Sequence, residues 1–345
     1  MMTRARNTYP NLDLAKIIGA LLVVTIHTAP FKDISGLANF FITNVIARIA
    51  VPLFFAISGF LFFGKLQYEN GKIKKCAGNI SQLIRYVKKT VFLYLAWSLL
   101  YILLIKLPFW YQSGWWGMYA IKDCLAATVL VGSHYHLWYL LALIYAMPIL
   151  YFVLRLIPLR KVIYLAIPLW ICECLLYSYA WLGIDKIPLI NFLSTRMPIV
   201  LDAYFRAIPL LIIGAFVSKT AFSRFNNMHY VFIGAFVAYV LEASSLYFFS
   251  PNNDKFSYLL LTPAVTFSLL CCLVYGKQVA FLKTQQLLLR NMSVTIYCMH
   301  PLIMEILDAC NVPSGPLMWL AVLSISVIVS AGISLIQQYR QLKRK

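Results

Sequence analysis

Apolar stretches of about twenty residues recur from one end of the chain to the other, parted by short polar breaks rich in Lys, Arg, Pro or Gly. In hydrocarbon a spanning segment must satisfy its own backbone hydrogen bonds, so each stretch is expected to be a helix. The breaks mark about ten spans, at roughly 12–30, 38–64, 90–107, 136–154, 162–182, 198–217, 230–250, 258–275, 292–310 and 316–338. An even number of spans returns both termini to one side. The expected fold is therefore an all-α integral membrane domain running through residues 1–345 without a linker or internal repeat. The first span follows Arg4 and Arg6 but is long, carries Lys16 and has no clean cleavage site, so it reads as uncleaved.

Composition supports this class: 62% of residues are hydrophobic and only 12% charged, against about half and a quarter in soluble domains. The net charge of +19 invites a nucleic-acid reading. The distribution of the charge argues against it. Most of the 30 Lys and Arg fall in alternate loops and at the two ends, as cytoplasmic segments require, including the stretch 65–89 with KIKK and RYVKK and the tail Arg340, Lys343, Arg344 and Lys345. Lys32, Lys106, Lys122, Lys186, Arg196 and Lys255 fall on the other side. Both termini are thus expected in the cytoplasm, in a multi-pass membrane protein. The segment 108–135, with PFWYQSGWWGMY, reads as an interfacial region with a short re-entrant or surface helix. The eight Cys show neither a disulfide framework nor metal-ligand spacing, and no metal is expected.

Ionisable groups inside such spans mark candidate chemistry. The first span carries Asp13, Lys16 and His27. Lys16 and His27 are close to three full turns apart, so they share a face, roughly 16 Å apart along the axis. Imidazole is a suitable general base near neutral pH. Arg48 opens the second span, whose Ser58 and Gly59 leave room for close approach of a backbone or ligand. His134, His136, Trp138 and Tyr139 cluster at the start of the fourth span as a candidate acceptor surface, though an aromatic belt also explains the Trp and Tyr. Arg85, Lys88 and Lys89 are either positive-inside charges or a phosphate grip. Arg206 needs a buried partner; Asp202 stands one turn earlier, and Glu173, Glu242, Glu305 and Asp308 are alternatives. In the ninth span Tyr297 and His300 share a side, with Ser293 one turn before.

Taken together these residues resemble the acyltransferase-3 family of bacterial membrane O-acyltransferases. The family's [RK]-x10-H element looks like Lys16…His27, and its second-helix signature looks like VPLFFAISGFLFF at 51–63. Its HLW[FY] stretch looks like His136-Leu137-Trp138-Tyr139, its S-x3-Y-x2-H element like Ser293…Tyr297…His300, and its R-x2-R loop like Arg85-x-x-Lys88. Lys88 replaces the second Arg, which weakens bidentate phosphate contact there. The size is similar to that of members without an appended periplasmic or racemase domain.

The resemblance implies the bacterial inner membrane, and transfer of an acyl group, acetyl in the simplest case, from cytoplasmic acyl-CoA to a hydroxyl of a cell-surface polysaccharide or lipid-linked sugar. No tightly bound cofactor is expected, since acetyl-CoA serves as the donor substrate. His27 would act as base, with Lys16, Arg48 and His300 completing the catalytic set. Arg85, Lys88 and Lys89 would hold the donor phosphates. His134, His136, Trp138, Tyr139, Arg206 and Tyr297 would bind the acceptor. The competing readings are a glycan exporter or flippase, which would move substrate without consuming CoA, and a sensing or scaffold module.

Overall fold

A computed structural model describes residues 9–114, 117–183, 186–196, 198–220, 227–250, 258–279 and 282–343. Arg4, Arg6, Trp115, Trp116, Arg224, Lys255, Arg344 and Lys345 lie outside the described residues. The helices, in chain order, are α1 (Pro10–Thr28), α2 (Gly36–Phe63), α3 (Ala77–Ser113), α4 (Met118–Ala126), α5 (Trp138–Leu156), α6 (Leu159–Leu176), α7 (Pro188–Arg196), α8 (Pro198–Lys219), α9 (Met228–Phe249), α10 (Thr262–Tyr275), α11 (Leu282–Ala309) and α12 (Pro316–Leu342). Seven of them, α1, α2, α3, α5, α8, α9 and α12, are long and apolar enough to cross a membrane. Helices α6, α10 and α11 fall on the remaining expected spans, and α10 has only 14 residues. At about 1.5 Å per residue α10 is some 21 Å long, short of a ~30 Å hydrocarbon core.

Local sequence explains the ends. Helix α1 begins with Pro10 at its first position and stops where Ala29 turns left-handed (φ 42°) ahead of Pro30. Helix α2 loosens into a π turn over Phe40–Ile46 and a 3₁₀ turn over Ala47–Ile49 before its regular stretch begins at Ala50. Helix α8 is likewise π-helical over Asp202–Ala207, just ahead of Pro209, which has no N–H to give to the preceding turn.

The segment 65–89 departs from a plain loop. Strands β1 (Tyr68–Glu69) and β2 (Lys72–Ile73) pair antiparallel around Asn70-Gly71, both at positive φ. Buried Asn79 closes the hairpin, its Nδ2 donating to the carbonyls of Gln67 and Lys74 at 2.9 Å and its Oδ1 accepting from the Gln67 N–H at 3.0 Å. Helix α3 then runs for 37 residues, about 55 Å. It is thus longer than the bilayer core is thick, and the expected re-entrant region contains α4 and a π turn over Ala127–Val131.

Two compact units divide the chain: Met1–Phe54 with Ala221–Val240 and Ala264–Lys345, and Phe55–Thr220 with Leu241–Pro263. In the first unit α1, α11 and α12 pack on one another, and the Ala47–Ile49 turn packs on α1. Leu12, Ala20, Val23 and Val24 of α1 are buried, as are Ile296 and Cys298 of α11 and Val322 of α12. In the second unit α8 packs against α6 and α5, and α5 against α3. There Gly59 and Gly214 let two backbones meet. A Cβ on Gly59 would fall on the Leu211 carbonyl, and one on Gly214 would fall on the Ala56 carbonyl. Small residues are what such close helix crossings need in lipid.

Candidate active site

In the first unit the polar groups of α1 and α11 form one seam. The two helices run parallel, because Asp13 meets Arg290 near their N-terminal ends and His27 meets His300 further along. Buried Asp13 takes the Lys16 Nζ at 3.2 Å and the Arg290 Nε at 2.9 Å to each of its oxygens. Arg290 also donates from Nη2 to the Gln286 Oε1 at 3.3 Å. Midway, the Phe54 ring lies where a Cβ on Gly19 would have to sit, and it meets the buried Tyr297 ring edge-on at 6.3 Å. Further on, half-buried His27 stacks on His300, with ring centroids 5.3 Å apart and planes at 26°. Tyr297 lies 6.3 Å from the same imidazole. The Ser293 hydroxyl turns back to the Arg290 carbonyl at 3.0 Å.

His300 is completely buried, and its Nδ1 sits 2.8 Å from the Tyr297 carbonyl and 3.2 Å from that of Ile296. Carbonyls only accept, so Nδ1 carries the proton. The cause is in the sequence. Pro301 has no N–H, so the carbonyl four residues back, Tyr297, has no helical donor and takes the imidazole instead. A neutral His300 therefore has its lone pair on Nε2. In that form Nε2 is the nitrogen able to accept a proton. Arg48 is partly buried on its turn against α1.

The second unit gathers the other residues. His134 and His136 approach Nδ1 to Nδ1 at 3.1 Å, and the fully buried Tyr101 ring stacks on His134 at 4.3 Å. Burial, aided by the nearby Lys106 ammonium, pushes the His134 imidazole down to about 4, so it is uncharged at neutral pH. Ser133 holds this turn through the Ser98 hydroxyl at 2.7 Å and its N–H to the Tyr94 hydroxyl at 3.2 Å. Tyr139 is buried on the Phe55 ring with its hydroxyl 3.2 Å from the Ser58 Oγ. Arg206 is enclosed. Its Nε and Nη2 reach the Glu173 Oε1 at 2.7 and 2.6 Å, and its Nη1 reaches the Asp202 Oδ1 at 3.0 Å. The rings of Trp138, Tyr177 and Tyr258 lie 4.8–5.0 Å from the guanidinium carbon. Arg85, Lys88 and Lys89 are exposed on one face of α3. Among the described residues no three His, Cys, Asp or Glu converge as a metal site.

The profile of the acyltransferase domain of the acyltransferase-3 family matches residues 9–335. The chain belongs to the acyltransferase-3 family. It is also similar to two proteins of Enterococcus faecalis named amino-acid racemase, at 28% identity over 75% of this chain and 27% over 97%. A serine/alanine racemase of Enterococcus gallinarum is 30% identical over 75% of the chain. The chain spans only 35–46% of the length of these relatives. No solved structure matches it. Residues 9–335 thus form an acyltransferase domain, and seven helices among the described residues are long and apolar enough to make it multi-pass. Within that family frame, sequence reading missed Arg290 and Gln286, which look like an ordinary loop-end cation and amide. It also missed Tyr101, an aromatic among many, and left Glu173 as one acid of several. The Asn70-Gly71 pair was the one overlooked signal with a known meaning, a hairpin turn.

Proposed function

We propose that the chain moves an acyl group, acetyl in the simplest case, from acyl-CoA to a hydroxyl of a cell-surface polysaccharide or lipid-linked sugar. The observation that carries this reading is the stacked His27–His300 pair on α1 and α11, with the proton of His300 assigned to Nδ1. His27, stacked on His300, takes the acceptor O–H proton as the oxygen attacks the thioester carbonyl. The C–O bond forms, the C–S bond breaks, and the thiolate takes a proton to leave as CoA thiol. Arg48 faces the negative charge that builds on the carbonyl oxygen. Donor phosphates are met by Lys16 at the cytoplasmic end of α1. His134, His136, Trp138 and Tyr139 form the acceptor surface.

The test is thiol release from acetyl-CoA by protein in nanodiscs, with and without a membrane glycan extract. Glycan-dependent release by the wild type should fall by at least about a hundredfold in His27→Ala. Release that survives in a folded His27→Ala protein refutes the base assignment, and no release by the wild type favours the exporter. The racemase-named relatives support a second reading, in which the acceptor is a small hydroxy amino acid. Serine in place of the glycan extract separates the two.

A further inference from the structure

We infer that the N-terminal ends of α1 and α11 form a phosphate-binding site, in which Arg290, Gln286 and Lys16 take the diphosphate of the acyl donor. The inference rests on acyl-CoA being that donor. Arg290 spends its Nε on Asp13, yet Asp13 also receives Lys16 on Oδ1, so one buried carboxylate is shared by two cations. The Arg290 side chain is 44% exposed, and Nη2 reaches Gln286 at 3.3 Å while Nη1 has no partner among the described residues. The guanidinium is thus anchored on one edge and open on the other, the geometry in which Arg reads phosphate oxygens. Gln286 gives a second and independent sign. It is nine-tenths buried, its Oε1 is used by Arg290, and its Nε2 is a buried donor with no acceptor among the described residues. Such a donor is costly to leave unmade, and an anion beside Arg290 supplies the missing acceptor.

Helices α1 and α11 run parallel, so both enter the seam from this end. The end is also fixed in place. The Asn11 side chain donates to the Lys277 carbonyl at 3.1 Å and accepts from the Val279 N–H at 3.1 Å. The site and the His27–His300 pair lie on the same two helices, about three turns apart. That separation suits a donor with a phosphate head and a long thin arm ending in a thioester.

A phospholipid headgroup offers the same phosphate chemistry, so the test needs arms that separate the two. Affinity for acetyl-CoA and for S-acetyl-N-acetylcysteamine, a thioester without phosphate, is measured on the full chain in nanodiscs of phosphatidylcholine or of phosphatidylglycerol. Arg290→Gln should weaken acetyl-CoA about tenfold or more and leave the phosphate-free thioester unchanged, with Arg290→Lys restoring part of the loss. Gln286→Glu leaves the Asp13 pair intact and should weaken acetyl-CoA by repulsion, so it decides the matter even if Arg290→Gln fails to fold. Wild-type acetyl-CoA affinity in the folded variants overturns the inference while leaving the donor intact. A loss confined to dependence on phosphatidylglycerol overturns it in favour of lipid. No saturable acetyl-CoA binding by the wild type overturns the acyl-CoA reading first, and this inference with it.

Discussion

Removing the Arg206 side chain should destabilise the second unit strongly, because two enclosed carboxylates depend on it. Glu173 is fully buried and rests on Arg206 through two contacts of 2.6–2.7 Å, and Asp202 rests on it at 3.0 Å. Arg206→Ala leaves both carboxylates in a low-dielectric interior, and breaking a buried pair by deleting one partner costs about 3–5 kcal/mol. The three aromatic faces around the guanidinium lose their cation as well. At roughly 2–4 °C per kcal/mol for a unit of this size, the melting temperature should drop by about 6–20 °C. Thermal unfolding in detergent, followed by cysteine reactivity or intrinsic fluorescence, reads this directly. The combination Arg206→Met, Glu173→Leu and Asp202→Asn removes all three charges together and should recover most of the loss. If the single variant melts like the wild type, the network is not holding the unit. If the restored triple variant cannot transfer the acyl group, Arg206 contacts substrate and its role is not purely structural.

Pro301→Ala returns an N–H to the Tyr297 carbonyl and so competes with His300 Nδ1. Turnover should fall by roughly tenfold or more while the melting temperature holds or rises, and unchanged turnover refutes the tautomer assignment. Gly214→Ala places a Cβ on the Ala56 backbone and should destabilise by about 1–3 kcal/mol. Gly234→Ala meets open space and should be neutral or slightly stabilising in the same melts; equal effects would refute the close crossing. His134 is held neutral, its folded value near 4 lying below the ordinary 6.5. Its contribution is therefore complete above about pH 6.5 and drains away as pH falls toward 4. Melting temperature against pH should show this decline in the wild type and lose it in His134→Asn; parallel curves refute it.

What could be read in the sequence was what repeats or sits close along the chain. The helices follow from unbroken apolar runs, and the Lys16–His27 face follows from spacing within one helix. Asp202 was visible as a partner of Arg206 because one turn separates them. Glu173 was not, because a contact across 33 positions leaves no periodic trace. Arg290 hid for a different reason. A cation at a helix end is the default of membrane topology, so only its contact with Asp13 distinguishes it. The role of Pro301 was legible in principle, since a missing N–H always frees the carbonyl four residues earlier. Its meaning depends on His300 turning toward that carbonyl, which is a rotamer choice.

The pairing of Asp13 with Arg290 joins groups 277 positions apart, and this sets an order on biosynthesis. At about 5–20 residues per second, α1 emerges from the ribosome on the order of 15–55 s before its partner exists. Through that interval a helix with a carboxylate, an ammonium and an imidazole waits in or beside the bilayer without α11. Lys16 alone can neutralise Asp13 then, from three residues away on the same helix. That local ion pair is thus the contact of Asp13 that does not wait for α11. The His27–His300 stack likewise forms only after α11 has been made, so a chain stopped ahead of residue 300 holds His27 without its ring partner.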